Sequence, residues 1–329
     1  MRNFISITDV ADVQSLIERG LNYKKIPLAD HALGKGKRLG LLFLNPSMRT
    51  RISTQIAAHN LGMDAIVFNV GQEGWSLEFG DGVMDGTSVE HVKDAAPVLG
   101  EYFDVLGLRT FPSLKKRDED YSEQVIWQFV KYSGIPVISL ESATLHPLQS
   151  LADLMTIAET FSENRKPKVV LTWAPHIKPL PQCVANSFAQ WINAWEYAEF
   201  VIAHPEGYAL DEKFTEGATI ITNQDKALAG ADFVYVKNWS SFSEYGKILN
   251  TDLSWMLTAE KLKITNNARV MHCLPVRRNL ELSAEVLDSH ASLVTQQAAN
   301  RVWAAQAVLA EILQFNFKNS PLEGGKGGV

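Results

Sequence analysis

Hydrophobic positions along this chain switch repeatedly between two periods, and the first clear switch falls in residues 39–62. Leu39 to Leu44 is apolar apart from Gly40 and does not alternate, the pattern of a strand covered on both faces in a parallel sheet. Asn45-Pro46 breaks the run and Ser47 suits a helix N-cap. Ile52, Ile56 and Ala57 then recur at helical spacing until Asn60-Leu61-Gly62. Further down, the pattern predicts strands over 65–70, 105–111, 136–140, 169–173, 200–203, 219–221, 231–239 and 269–274. It predicts helices over 8–20, 89–102, 121–132, 147–161, 184–195, 210–214, 225–229, 257–262 and 296–315. Strand and helix alternate in two successive sets, so the fold class expected is α/β, with two doubly wound parallel sheets.

In such sheets ligands bind beyond the carboxyl ends of the strands. Arg49, Arg109, His146, His176, Lys237 and Cys273 all fall at or just past predicted strand ends, which points to one shared cleft. At 329 residues and 46% hydrophobic the chain can bury a large core and suggests two domains. A net charge of −6 argues against a nucleic-acid partner. Cys183 and Cys273 are the two cysteines and have no metal-ligand spacing, which fits a reducing cytoplasm. No signal-peptide core opens the sequence and no stretch has the length to cross a membrane. There is no P-loop, and no G-x-G-x-x-G follows a strand.

Two features of the strand ends carry chemistry. Arg49 and Arg51 sit in the first turn after Ser47, at the positive end of a helix dipole where cations are disfavoured by a few tenths of a kcal/mol. Backbone N–H groups, Ser47 and Thr50 surround them, so a bound anion such as phosphate would account for the pair; the alternative is two solvated arginines paired with surface acids. His146 and Gln149 flank Pro147, which suits the first helical position, and taken alone they could equally form a capping arrangement. The long segment 71–91, with Trp75 and several acids, has the length of a functional loop.

Ser47-Met-Arg-Thr-Arg51 resembles the Ser-Thr-Arg-Thr-Arg carbamoyl-phosphate motif of the aspartate/ornithine carbamoyltransferase family, with Met48 as the departure. His146-Pro-Leu-Gln149 is similar to that family's His-Pro-x-Gln. The resemblance implies transfer of a carbamoyl group from carbamoyl phosphate to an amine, with no metal and no organic cofactor. Arg49, Arg109, Arg301, Ser47, Met48 and Thr50 would hold the phosphate, and His146 and Gln149 the carbamoyl group. The Cys273 and Leu274 carbonyls would accept its amide hydrogens, beside a Leu-Pro bond that is often cis. Trp75 would complete the pocket from a neighbouring subunit of a homotrimer. The final helix would cross back to the first domain, dividing the chain into a carbamoyl-phosphate domain (1–145 with 296–318), a second-substrate domain (146–295) and a flexible tail (319–329).

The same resemblance implies that the second substrate would be an N-acylornithine. In ordinary ornithine carbamoyltransferases an aspartate that binds the free α-ammonium ends the strand now read as 231–239; Lys237 stands there instead, and Ser-Met-Gly is absent. A lysine facing an α-ammonium would be repelled, whereas an acylated, uncharged nitrogen is tolerated. Trp173-Ala-Pro-His176, Gly74-Trp-Ser-Leu-Glu78, Met84-Asp-Gly86 and His272-Cys-Leu-Pro-Val-Arg-Arg-Asn279 also look like the N-acetyl- and N-succinylornithine branch. By that resemblance Glu141, His176, Lys237, Cys273 and Arg278 contact the acylated amino acid, with Arg278 pairing with its α-carboxylate. The acetyl-specific pattern has glutamate, and the succinyl pattern proline, where Val89 stands. A neutral residue there leaves Lys237 free for a succinyl carboxylate. The expectation is therefore N-succinyl-L-ornithine, with N-acetyl-L-ornithine as the alternative and a non-catalytic carbamoyl-phosphate-binding relative as a more distant one.

Overall fold

The computed structural model describes residues 1–319. Two parallel sheets carry the fold. The first comprises β1 (Arg38–Phe43), β2 (Asp64–Asn69), β5 (Val105–Arg109) and β6 (Val137–Glu141) in the order β2-β1-β5-β6. A two-stranded ribbon of β3 (Leu77–Glu78) and β4 (Glu90–His91) lies between them in sequence. The second sheet comprises β7 (Lys168–Trp173), β8 (Glu199–Ala203), β9 (Thr219–Ile221), β10 (Phe233–Lys237) and β11 (Arg269–Met271), ordered β11-β10-β7-β8-β9. Every pairing in both sheets is parallel, as the non-alternating apolar runs require. All five residues of β5, β6 and β10 are buried, because helices cover both sheet faces.

The helices are α1 (Val13–Lys25), α2 (Met48–Asn60), α3 (Val92–Tyr102), α4 (Arg117–Tyr121), α5 (Gln124–Tyr132), α6 (Pro147–Thr160) and α7 (Cys183–Trp195), then α8 (Glu212–Thr215), α9 (Gln224–Leu228), α10 (Ala259–Leu262), α11 (Ala284–Leu287) and α12 (Val294–Asn319). Helix α6 leads from the first sheet to the second, and Pro147 to Ile157 are all buried. Helix α12 returns from the second sheet and packs on α1, α2 and α6, with Ala304 to Ala310 inside the core apart from the polar Gln306, itself buried. The C-terminal helix therefore closes on the elements that carry the first sheet. No helix of the described residues is long and apolar enough to cross a membrane.

Local chemistry moves several boundaries away from the sequence expectation. Asp9 is engaged with the Ser6 cap of a short 3₁₀ turn, so α1 starts only after Asp12, whose carboxylate accepts from the Ser15 N–H. Residues 90–91 pair as β4, which delays α3 to Val92. The expected helix 121–132 is instead split, because Glu123 adopts a left-handed conformation with φ 50°. Strand 231–239 narrows to Phe233–Lys237, leaving Lys237 as its last residue. Past Met271 the His272 N–H turns to the Gln297 side chain, which ends β11 three residues early. The tail expected over 319–329 lies, from residue 320 on, outside the described residues.

Candidate active site

The carboxyl ends of β1, β5, β6, β7 and β10 open on one cleft of ≈ 680 Å³. Of the residues singled out in the sequence, Ser47, Met48, Arg49, Thr50, Arg109, Glu141, His146, Gln149, His176, Lys237, Cys273, Leu274 and Arg301 line it. They come from both sheets, and Arg301 from α12, so the returning helix contributes to the cleft.

On the first sheet's side, α2 opens with Ser47 in extended conformation and no side-chain cap on the first turn. Its hydroxyl and the first N–H groups therefore remain free of that mutual bond, beside Arg49 and Thr50. Arg109, the last residue of β5, holds this loop in place: its Nη1 donates to the Asn45 and Pro46 carbonyls at 3.0 Å each. Its Nε and Nη2 donate to Glu141 Oε2 at 3.0 and 2.8 Å. A register shift between Leu108 and Arg109 brings Arg109 opposite Glu141 at the end of β6. Both members of this ion pair are buried. Removing either one would leave an uncompensated charge, which costs about 3–5 kcal/mol.

His146 precedes α6 with its Nε2 3.7 Å from Glu141 Oε2 and its Nδ1 without a partner among the described residues. Burial, then the charges of Arg301 and Arg109, hold its pKa well below the usual imidazole value. The ring is thus neutral at physiological pH and able to donate one hydrogen bond to a carbonyl oxygen. Gln149, one turn on, accepts at Oε1 from Arg301 Nη1 at 2.7 Å, and Arg301 Nη2 donates to Thr50 Oγ1 at 3.0 Å. Arg301 on α12 thereby joins the His146-Gln149 turn to the first turn of α2, presenting a cation from inside the core, 5% exposed.

The second sheet contributes the opposite wall. The Leu274-Pro275 bond is cis, and Leu274 has φ 56°. The Leu274 N–H donates to His272 Nδ1 at 2.9 Å, so His272 carries its proton on Nε2, facing Glu281 Oε1 at 3.4 Å. Glu281 is buried, and it accepts from the Arg277 N–H at 2.8 Å; its pKa falls to about 2 because the His272 contact and the Lys237 charge outweigh the cost of burial. His176 donates from Nδ1 to the Lys178 carbonyl at 2.9 Å and accepts at Nε2 from Arg277 Nε at 3.1 Å. Burial keeps it neutral by lowering its pKa. Lys237 is 8% exposed, and its ammonium group has no hydrogen-bond or ion-pair partner among the described residues.

Three expected residues lie elsewhere. Arg278 turns away from the cleft and forms a bidentate pair with Asp288 at 2.8 and 2.9 Å, both partners exposed. Glu281 anchors the backbone at Arg277, so it is this preceding arginine that lines the cleft; two adjacent arginines cannot be ranked from sequence alone. Trp75 and Val89, 57% and 66% exposed, stand on the 71–91 loop outside the cleft formed by their own chain. Trp75 Nε1 donates to Glu90 Oε2 at 2.7 Å. Sequence reasoning missed Arg277, Glu281 and Cys183; the last lines the cleft and donates from Sγ to Glu141 Oε1 at 3.4 Å. Among the described residues no cluster of His, Cys, Asp and Glu is built to hold a metal ion.

A cleft lined with arginines at a helix N-terminus, a neutral imidazole and oriented amide groups is equipped to hold a phosphorylated carbonyl compound and stabilise charge on its oxygens. The chain belongs to the aspartate/ornithine carbamoyltransferase family: the model of its carbamoyl-P binding domain matches residues 2–159, and that of its Asp/Orn binding domain residues 182–312. Among particular relatives, it is 48% identical to the N-succinylornithine carbamoyltransferase of Bacteroides fragilis, over 95% of this chain and 99% of that one. It is 34% identical to the N-acetylornithine carbamoyltransferase of Xanthomonas campestris pv. campestris, over 95% of this chain and 98% of that one. A solved glutamate-to-valine mutant of N-acetyl-L-ornithine transcarbamylase, complexed with carbamyl phosphate and N-succinyl-L-norvaline, superimposes with a TM-score of 0.88 at 33% identity, covering 95% of this chain and all of that one.

Proposed function

We propose that this enzyme transfers the carbamoyl group of carbamoyl phosphate to the side-chain amine of N-succinyl-L-ornithine, giving N-succinyl-L-citrulline and phosphate in cytoplasmic arginine biosynthesis. The observation that carries the choice of acceptor is Lys237. Its ammonium group stands in the cleft at the end of β10 with no hydrogen bond or ion pair among the described residues, where a succinyl carboxylate can pair with it, whereas the α-ammonium of free ornithine would be repelled. The identity of 48% to an N-succinylornithine carbamoyltransferase, against 34% to an N-acetylornithine one, supports the same choice. A glutamate-to-valine change in an acetyl-type relative is compatible with an N-succinyl ligand, and valine is the residue at position 89 here.

In the reaction, Ser47, Met48, Arg49, Thr50, Arg109 and Arg301 hold the phosphate and stabilise its departure. The neutral His146 donates to the carbamoyl oxygen, whose charge grows as the amine attacks. The Gln149 side-chain oxygen and the Cys273 and Leu274 carbonyls accept from the carbamoyl NH₂. Glu141, His176, Lys237 and Cys273 bind the acylated amino acid, and Arg277 replaces Arg278 as the arginine placed to meet its α-carboxylate. The phosphate-binding unit is 1–145 with 296–318 and the acylornithine unit 146–295. A homotrimer brings Trp75 and Val89 of one subunit over the cleft of the next, which accounts for an exposed tryptophan and valine on one loop.

Val89→Glu is the direct test. It should move the preference from N-succinylornithine towards N-acetylornithine, read as phosphate release with each acceptor. A variant that retains the full succinyl preference would remove residue 89 from the pocket.

A further inference from the structure

Behind the Gln149 amide lies a carboxylate that neither the sequence motifs nor the chemistry above uses. Asp153 sits one turn beyond Gln149 on α6 and is fully buried. Its Oδ1 accepts from Gln149 Nε2 at 2.7 Å and from Gln297 Nε2 at 2.7 Å. Its Oδ2 has no partner within hydrogen-bond distance among the described residues, with the hydroxyl of buried Tyr235 nearby. Gln297 in turn accepts the His272 N–H at 2.9 Å, directly before Cys273.

These contacts admit one arrangement. An ionised carboxylate only accepts hydrogen bonds, and a guanidinium only donates them. Gln149 lies between the two, so its NH₂ group must face Asp153 and its oxygen must face Arg301. Turning the amide over would set oxygen against carboxylate on one side and NH₂ against guanidinium on the other, losing both bonds and creating two repulsions. Gln297 is oriented by the same logic, with its NH₂ on Asp153 and its oxygen on the His272 backbone. One buried oxygen atom therefore sets the direction of an amide on each side of the site.

We infer that Asp153 is a positioning residue: through Oδ1 it fixes the Gln149 amide with its oxygen towards the carbamoyl group, and through Gln297 it ties that amide to the backbone leading into Cys273. The inference rests on the carbamoyl-transfer reading and deepens it. Because both amide contacts fall on Oδ1, a proton on Oδ2 leaves them in place, and asparagine can reproduce them with its own oxygen.

The test is a double-mutant cycle of Asp153→Ala and Gln149→Ala, with Asp153→Asn as the conservative variant. It is read both as turnover and as carbamoyl phosphate affinity by titration calorimetry. Calorimetry needs no acceptor, so it reports on Asp153 even if the choice of acylornithine is mistaken. Wild-type turnover with each acceptor reports on that choice separately. Removing a group that orients a transition-state contact costs on the order of 10²-fold, so Asp153→Ala should lower kcat about 10²-fold and weaken carbamoyl phosphate binding less. The double variant should be slower than Gln149→Ala alone by far less than the loss caused by Asp153→Ala in wild type, the remainder being the Gln297 arm, and Asp153→Asn should stay within about threefold of wild type. Should Asp153→Ala fail to fold, Asp153→Ser, whose short hydroxyl cannot span both amides, takes its place in the cycle. Multiplicative losses in the double variant, or an Asn variant as impaired as the Ala one, would overturn the inference; so would unchanged kcat and affinity on removal of the carboxylate.

Discussion

Lys237→Met removes the charge on which the choice of acceptor depends while keeping an unbranched apolar side chain of similar length. The residue is 8% exposed, and its ammonium makes no hydrogen bond or ion pair among the described residues. A carboxylate about 4 Å away attracts it by about 4 kcal/mol at an effective dielectric of 20. Desolvating the ligand's carboxylate offsets about half of that, leaving ~2 kcal/mol, or about 30-fold in kcat/KM. N-succinylornithine should lose that factor and N-acetylornithine, which has no acyl carboxylate, should change by less than about threefold. The free protein should change little in Tm, since the ammonium faces the open cleft and makes no ion pair among the described residues, its charge acting on nearby Glu281 only from a distance. The assay is initial-rate kinetics with both acceptors alongside a thermal melt without ligand. An unchanged succinyl-to-acetyl ratio would refute the reasoning, and a Tm lowered by several degrees would show that Lys237 has a structural counter-charge.

Glu123→Ala should lower both stability and kcat, because the Glu123 carboxylate accepts from Ser142 Oγ at 2.6 Å, from the Thr144 N–H and Oγ1 at 2.6 Å each, and from the Ala143 N–H at 3.2 Å. Losing these charge-assisted bonds costs about 2–3 kcal/mol by chemical denaturation and loosens the loop between Glu141 and His146. Burial lowers the pKa values of His146, His176, His204 and His272. Their folded values lie below the unfolded value of about 6.5, so the unfolded chain binds more protons and stability falls as pH drops through about 6.5 and below. Denaturation midpoints between pH 8 and pH 5 should decline accordingly. Asp153 runs the other way. Burial raises its pKa to about 7, against bonds from Gln297 and Gln149 and the nearby Tyr235 and Arg301, which favour the charged form. Cys273 also faces this group through Tyr235. The wild type therefore loses stability as pH rises from about 4 to 7, so Asp153→Asn should gain Tm relative to wild type at pH 8 and gain less at pH 5.

The sequence carried the sheets well, since each core strand is a short apolar run closed by a turn residue, and parallel strands buried on both faces need no partner to be recognised. The same holds for Arg49, His146 and Gln149, whose spacing on a helix start is local. What escaped depends on contacts distant in sequence. Glu123 breaks the expected helix 121–132 because its carboxylate reaches the 142–145 loop, and nothing in its neighbours announces that. Arg277 and Arg278 are alike in sequence; a buried Glu281 holding one backbone and an exposed Asp288 holding the other side chain decide between them. Asp153 did leave a trace, four residues after Gln149 and so on the same helix face. Reading it as functional, however, required knowing that Arg301 arrives on the far side of the amide from α12.

The most direct measurement is phosphate release from carbamoyl phosphate with ornithine, N-acetylornithine and N-succinylornithine side by side under identical conditions. Turnover should be dominated by the succinyl compound, with free ornithine inert. Preference for N-acetylornithine would contradict the role given to Lys237 and Val89, and turnover of free ornithine would contradict the reading of the acceptor site altogether.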